Sequence, residues 1–382
     1  MFLLPSARES NPMNSKSKVD DGCENSGAGV SPAPLKTPMR PITIVGGGLA
    51  GLSLGIGLRQ QSVPVVVWEM GHYPRHRVCG EFISGRGQET LQRLDLLGLL
   101  TESGARRGET AAFFSRHKRF STRVLPQPAL CLSRFELDAL LAKRFQELGG
   151  ELRCGARGPG TEAGEGIVRA SGRRVRTDTD GWRWFGVKAH AKNVALTADL
   201  EMHLSVNGYV GLCRLQHSKT NVCGLFRRKK GDPDSAHSVV ERLRGEPGSI
   251  LDDRLKGAEF DETSVCAVAG LTLSPRRGAS SNECCVGDAL TMISPVTGNG
   301  MSMALESAEL ALPVLAAYAR GEIEWDAARR AVGASCDSAF AWRLWWASRI
   351  QIALLCLPVQ TYLLPFALQW EDCWRAFFWA TR

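Results

Sequence analysis

The sequence lacks the signatures of several common protein classes. Its twelve cysteines include no Cys-x-x-Cys pair, and its seven histidines show no His-x-His or His-Glu-x-x-His spacing. No metal site is therefore expected. Cysteines scattered this way, including the adjacent Cys284-Cys285 in an apolar, strand-like run, fit free buried thiols in a reducing cytoplasm. There is no internal repeat. Lysine is scarce beside arginine, 11 of 47 basic residues, and the net charge is +8. The basic runs Arg116-His117-Lys118-Arg119 and Arg227-Arg228-Lys229-Lys230 carry no interleaved aromatics, which argues against nucleic-acid binding. An anionic cofactor, an anionic substrate or an acidic membrane surface accounts for the charge instead. No secretory signal opens the chain, because Phe2-Leu3-Leu4 is cut off by Pro5. Residues 1–40, rich in Ser, Asn, Pro, Gly and Lys, read as a disordered extension or an overcalled start.

What is present is ordinary for a globular protein, with 44% hydrophobic and 23% charged residues. The length of 382 residues fits two or three domains, or one α/β unit with an inserted lobe. Ile42–Val45 reads as a buried strand, Leu52–Arg59 as a helix, and Val63–Trp68 as a second strand ending at Glu69, the size of a βαβ crossover. Residues 87–100 have helical periodicity. Residues 133–148 form a stronger helix, with Ser133 and Glu136 at capping-box spacing and Gly149-Gly150 as terminator. Strands are expected at 184–189, 201–206, 209–215 and 221–226, with Asn207-Gly208 as a hairpin turn. A polar helical stretch (about 234–256), strands near 264–268 and 283–287, and a long apolar helix from Met301 to Tyr318 follow. Seven of the ten tryptophans lie in the last sixty residues. Ile352–Leu368 is apolar but broken by Pro358 and Pro365, too interrupted to span a bilayer. It reads either as helices packed over the second lobe or as a peripheral membrane contact, since tryptophan favours that boundary.

The turn Gly46-Gly47-Gly48-Leu49-Ala50-Gly51 carries the strongest chemical signal. Gly46 permits the sharp turn, Gly48 lets backbone approach a diphosphate, and Gly51 lets the helix pack on the strands, while Leu49 and Ala50 present first-turn amides. Glu69, 18 residues beyond Gly51, is placed to accept from an adenosine ribose and disfavours a 2′-phosphate, hence NADP. A second glycine-rich segment, Gly287-Asp288 through Pro295, Gly298 and Gly300, precedes the long apolar helix. NAD needs only the first site. FAD is longer and can use both, with Asp288 on ribose or ribityl hydroxyls and a helix N-terminus beside the flavin pyrimidine.

These segments, with Pro74-Arg75-His76-Arg77-Val78-Cys79-Gly80-Glu81-Phe82 and Leu132-Ser133-Arg134-Phe135-Glu136-Leu137-Asp138, resemble the FAD-dependent group containing p-hydroxybenzoate hydroxylase-type enzymes, geranylgeranyl reductases and flavin halogenases. The resemblance runs from about Pro41 to the C-terminus. It implies an α/β fold: a Rossmann-like FAD-binding domain (GR2-type flavoprotein) with an inserted mixed or antiparallel-sheet substrate lobe and a helical C-terminus. The expected boundaries are 41–183 with 264–320 for the FAD domain, 184–263 for the lobe and 321–382 for the helical region. It further implies that Arg134 contacts FAD from a helix start, that Arg77 faces the cofactor, and that Cys79 lies close to the flavin as a catalytic candidate or a small packed residue. Ser171 stands where many hydroxylases have an Asp serving FAD and NADPH, which weighs against direct NADPH reduction. NAD(P)H remains a candidate donor. The Gly150–Val168 stretch is short, as in a deletion or a loosened sheet. The halogenase Trp-x-Trp-x-Ile-Pro pattern is absent, and Gly208-Tyr209-Val210-Gly211-Leu212 lacks the Trp and Pro of the reductase segment.

Three readings follow. The first is a cytoplasmic or membrane-peripheral flavin monooxygenase hydroxylating an apolar aromatic or polyketide-like molecule through a flavin hydroperoxide. The second is a reductase delivering hydride to a prenyl or other alkene. The third is a non-enzymatic protein binding prenylated partners. The expected partner in the first two is a lipophilic small molecule.

Overall fold

All four residues of Ile42–Val45 are β-branched, which stiffens the backbone toward the extended form. They make the central strand of the first sheet in the computed structural model, which describes residues 38–160, 164–173, 181–229 and 240–382. Nearly all of the expected N-terminal extension, Lys230 of the second basic run and the start of the helical stretch at 234–256 lie outside the described residues.

In chain order the elements are β1 (Ile42–Val45), α1 (Leu49–Gln60), β2 (Val65–Glu69), β3 (Phe82–Ile83), α2 (Arg86–Arg93), α3 (Leu97–Glu102), β4 (Arg106–Ser115), β5 (Lys118–Arg119) and β6 (Arg123–Cys131). They continue with α4 (Arg134–Glu147), β7 (Glu151–Cys154), β8 (Ile167–Arg169), β9 (Trp182–Lys192), β10 (Leu200–Ser205), β11 (Gly208–Arg214), β12 (Thr220–Lys229), α5 (Glu241–Arg244) and α6 (Ile250–Leu255). The remainder is β13 (Glu259–Leu271), β14 (Cys284–Cys285), α7 (Gly300–Ala319), α8 (Trp325–Leu354), α9 (Leu364–Gln369) and α10 (Glu371–Ala380).

Among the described residues, β14-β8-β1-β2-β7 form one five-stranded parallel sheet. Both β7 and β8 join it, so the short Gly150–Val168 connection leaves the sheet whole. α1 is buried from Leu49 to Leu58 because it lies against this sheet and α7. α7 has the length and mean hydropathy (1.2) of a membrane-crossing helix, yet 56% of that stretch is buried inside the protein. Leu305, Ala308, Ala311 and Leu315 spend its apolar character on the core.

The single helix expected over 87–100 is two. Asp95 adopts φ 55°, and the Leu96 amide turns back to the Leu91 carbonyl (2.8 Å). The break lets Leu91, Leu94, Leu96 and Leu100 all face the core, which one continuous helix would not allow. At α4 the Ser133 hydroxyl accepts from the Phe135 amide (3.1 Å), as its sequence position predicts. Glu136 does not close the capping box; it accepts from the Gln216 side chain instead.

The second sheet has nine strands among the described residues, ordered β13-β9-β12-β11-β10-β4-β6-β3 with β5 paired to β4. It is antiparallel except for β10 beside β4. It draws on residues 82–131 and 259–271 as well as on 182–229. The β10–β11 turn lies at Val206-Asn207, one residue earlier than expected, with Gly208 already opposite Ser205. One face of this sheet, including Val187, Ala189, Val210 and Val222, packs against Leu243, Leu251 and Leu255 of α5 and α6. The other face meets the C-terminal helices through Phe113, Leu204, Tyr209, Leu225, Leu354, Leu368, Trp374 and Phe378.

Candidate functional site

The turn from β1 to α1 uses its glycines for different purposes. Gly46 has φ +113°, and a Cβ there would lie 2.3 Å from the Ala170 carbonyl oxygen; one at Gly51 would lie 2.0 Å from the Gly46 oxygen. These two close the strand–helix junction. A Cβ at Gly48 would meet nothing nearer than Arg77 Nη2, 3.9 Å away. Gly48 is thus the open position of the turn. α1 has no side-chain N-cap, so its first-turn amides, including those of Leu49 and Ala50, have no intrahelical acceptor. The side chains of Leu49 and Ala50 are buried, leaving only their backbone for a ligand.

Glu69 holds the turn in shape. Its Oε2 accepts from the Gly47 amide (2.9 Å) and pairs with Arg75 (2.6 Å), and its Oε1 accepts from the Gly71 amide (2.9 Å). Burial works against its charge, but the Gly71 amide with Arg75 and Arg77 holds the carboxyl below its usual range. Arg77 reaches Glu69 (3.5 Å) and Asp138 (3.1 Å), and Arg134 grips the same Asp138 with two bonds of 2.7 and 2.9 Å. A continuous charge chain therefore runs from the glycine turn to the start of α4.

The second glycine segment returns to the same place. β14 pairs with β8, which pairs with β1. Gly287, at φ +61°, places its Cβ direction 2.8 Å from Ala50 Cβ, and its amide donates to Ser307 Oγ (2.8 Å). The half-buried Asp288 lies in the field of Arg134, Arg173, Arg276 and Arg77, with burial dominating and pushing its carboxyl up. Its carboxylate accepts no hydrogen bond from a described residue. Farther along, a Cβ at Gly298 (φ +64°) would lie 2.2 Å from the Phe82 ring, and Pro295 opens the short turn leading to Gly300 and α7. The structure thus gathers Gly46, Gly48, Gly51, Glu69, Arg77, Arg134 and Asp288 at one end of the parallel sheet and sets Gly298 against Phe82 of β3, with Pro295 before it and Gly300 after it at the start of α7. Arg382 also stands there, donating to Ser84 Oγ (3.1 Å) and the Thr297 carbonyl (3.4 Å); burial lowers its pKa to about 9.

Cys79 sits between Arg134 and the second sheet. Its backbone carbonyl accepts from Asn221 (2.9 Å), and burial raises its thiol pKa. That surrounding favours the packed thiol over a thiolate nucleophile.

Sequence reasoning missed the buried ionic cluster beside it. Glu81, fully buried at φ +61°, accepts from His190 Nε2 (2.7 Å) and the Arg134 amide (3.0 Å) and pairs with Lys188 (3.3 Å). Lys188 also meets His76 Nδ1 (3.0 Å). The available signal was the alternation Val187-Lys188-Ala189-His190-Ala191, which places both cations on one face of a strand. Burial, then Lys188 and His190, lowers the His76 pKa to about 4 from an ordinary 6.5. Unfolded chains therefore take up a proton over that window while folded ones do not, so stability falls as pH drops from 6.5 toward 4. His76→Gln should lose less stability than wild type across this interval, as urea unfolding at its two ends would measure.

Cross-strand register orders the sheet face that these groups share. Leu200, Cys213, Asn221 and His190 form one row; Met202, Gly211, Cys223 and Lys188 the next; Leu204, Tyr209, Leu225 and Gly186 the third. The face grades from ionic to apolar under the C-terminal helices. Asn221 Oδ1 in the first row and the Tyr209 hydroxyl in the third are buried without a hydrogen-bond partner among the described residues.

No family model matches the chain. A menaquinone reductase of Mycobacterium tuberculosis is 24% identical over 317 residues, spanning 72% of this chain and 76% of that protein. The flavin-dependent brominase Bmp2 superposes with a TM-score of 0.71 at 16% identity, covering 90% of this chain and 93% of the brominase. PqsL of Pseudomonas aeruginosa, described as an FAD-dependent monooxygenase and solved with 2-aminobenzoylacetate, superposes with a TM-score of 0.64 at 15% identity over 86% of this chain and all of PqsL. The chain therefore has the fold of flavin-dependent halogenases and FAD-dependent monooxygenases, as the resemblance in its motifs implies.

Proposed function

We propose that the chain is an FAD-dependent monooxygenase that hydroxylates an apolar aromatic or polyketide-like small molecule with one polar end. The residues fit FAD on two counts: Gly48 leaves an open cradle before an uncapped helix, and Asp288 keeps a half-buried carboxylate that accepts no hydrogen bond from a described residue. The amides of Gly48, Leu49 and Ala50 would hold the diphosphate, and Asp288 the sugar or ribityl hydroxyls. The N-terminus of α7 would favour negative charge on the ring system, with Arg77 and Arg134 adding positive field. Bound there, FAD would supply two-electron redox chemistry and, when reduced, reactivity toward dioxygen.

The graded face of the second sheet carries the substrate proposal. Its ionic row would orient a phenolic or carbonyl head, with Asn221 Oδ1 as an acceptor, while Leu204, Leu225 and the helices above receive the apolar part and exclude water. No catalytic acid or base is required of the chain beyond this positioning. NAD(P)H is the proposed electron donor, tested by anaerobic reduction of the loaded protein with NADH and with NADPH.

The match to a menaquinone reductase favours a second reading, hydride transfer to an alkene of a lipophilic substrate. Turnover of lipophilic phenols and of prenylated quinones, with and without oxygen, separates the two. The monooxygenase reading expects oxygen consumption matching product and no anaerobic turnover. Anaerobic product formation establishes the reductase.

A further inference from the structure

The C-terminal helices bury one side and expose an apolar side that the fold does not use. From Ser338 to Trp370 there is no acidic residue, and the only basic ones are Arg343 and Arg349. Arg343 is turned inward onto Glu306 (2.7 and 2.6 Å). Trp342, Trp345, Arg349 and Ile352 recur at helical spacing and form an exposed stripe along α8. Beyond a bend of 98°, Leu357, Tyr362, Leu363, Phe366 and Trp370 continue it; Ile352 is 70% exposed and Tyr362 74%. Of the twelve large hydrophobic residues exposed among the described residues, eight lie between Trp342 and Trp370. Isolated exposed hydrophobics need no explanation, but a contiguous crest does.

The opposite side of the same segment is pinned to the second sheet. Gln360 is buried, accepting from Ser115 Oγ (2.7 Å) and donating to the Leu354 (2.7 Å) and Ser205 (3.2 Å) carbonyls. The crest is therefore a fixed feature and not a frayed tail. Beneath it an apolar cavity is lined by Phe113, Leu354, Leu364, Leu368, Trp374 and Phe377, where helices meet the sheet face described above.

A basic hairpin borders the crest. Lys118, the first residue of β5, donates to the Thr361 carbonyl (3.4 Å), next to Tyr362. Lys118 and Arg119 are exposed and form no ion pair with a described acid. Aromatic side chains for the headgroup boundary, aliphatic ones for the acyl layer and flanking cations for anionic headgroups are together the chemistry of an interfacial membrane contact. A second copy of the chain would set these cations against each other, and the segment supplies no acids to relieve them.

We propose that the α8–α9 crest, with the Lys118–Arg119 hairpin, seats the protein on the surface of a bilayer containing anionic lipid. The cavity below the crest would then admit the apolar part of a membrane-dissolved molecule directly toward the sheet face. The seating rests on surface chemistry alone and stands whether or not the flavin reading does.

The test is flotation of the full chain with vesicles of phosphatidylcholine alone and of phosphatidylcholine mixed with phosphatidylglycerol, with tryptophan emission recorded on binding. Wild type should float with the mixed vesicles, release at high salt, and shift its emission to the blue. K118E/R119E should bind the mixed vesicles roughly tenfold or more weakly. I352S/F366S should lose binding to both compositions while retaining wild-type oligomeric state. Failure of wild type to float overturns the proposal. So does a wild-type dimer that I352S/F366S converts to monomer without any vesicle binding, since a second copy then covers the crest. Equal flotation of wild type and both variants overturns it as well.

Discussion

Replacing Gly48 by valine should give a folded chain that carries no flavin. Gly48 has φ −86° and ψ −172°, a conformation open to any residue, so the backbone tolerates the change. The new Cβ meets no protein atom nearer than 3.9 Å, and unfolding by urea should remain within about 0.5 kcal/mol of wild type. The branched side chain would instead stand where the diphosphate must approach the Gly48–Ala50 amides. The same substitution at Gly46 or Gly51 should behave differently. There the Cβ would lie 2.3 or 2.0 Å from backbone oxygen, and at Gly46 the φ of +113° adds strain, so these chains should fail to fold. Visible absorbance of the purified proteins and their urea transitions separate the two outcomes. A G48V chain that purifies fully yellow would contradict the assignment of that turn.

The second large effect concerns stability. Lys188 is fully buried and its ammonium is held between Glu81 and His76. Lys188→Met fills much of the same volume but removes the charge. Glu81 keeps His190 and the Arg134 amide, yet its carboxylate remains buried with one cation fewer. Loss of one partner from a buried pair typically costs 3–5 kcal/mol, and the remaining partners place this case near about 3 kcal/mol. E81Q/K188M should cost less than the sum of the two single changes, because the double variant no longer strands a charge. A four-cornered urea cycle measures this coupling. A K188M chain as stable as wild type would show that the cluster contributes no net stability.

The half of the molecule around the first glycine turn was readable because its logic is local. Strand, glycine turn, helix and acid lie within one stretch from Ile42 to Glu69, and each residue type has its own conformational reason. The nine-stranded sheet was only half readable. β6 contains Pro126 and Pro128, and the pairing of β4 with β6 shifts register between Gly108 and Thr110, so neither strand presents a clean alternation. The ionic cluster was hidden for a different reason. His190 and Glu81 are 109 residues apart, and only the packing of the 76–82 segment onto the sheet face brings them together. Asp288 was placed by its motif, but its surrounding arginines come from four separate parts of the chain.

The central claim is that two remote backbone segments, Gly46–Gly51 and Gly287–Gly300, hold a single flavin between them. Equilibrium dialysis of the wild-type and Asp288→Ala chains against FAD tests it most directly, because Asp288 lies wholly within the later segment. The account predicts one FAD per wild-type chain and a loss of roughly ten- to a hundredfold in affinity for the variant, as expected when a charged hydrogen-bond partner is removed. Equal retention of FAD by both proteins, or none by wild type, would contradict it.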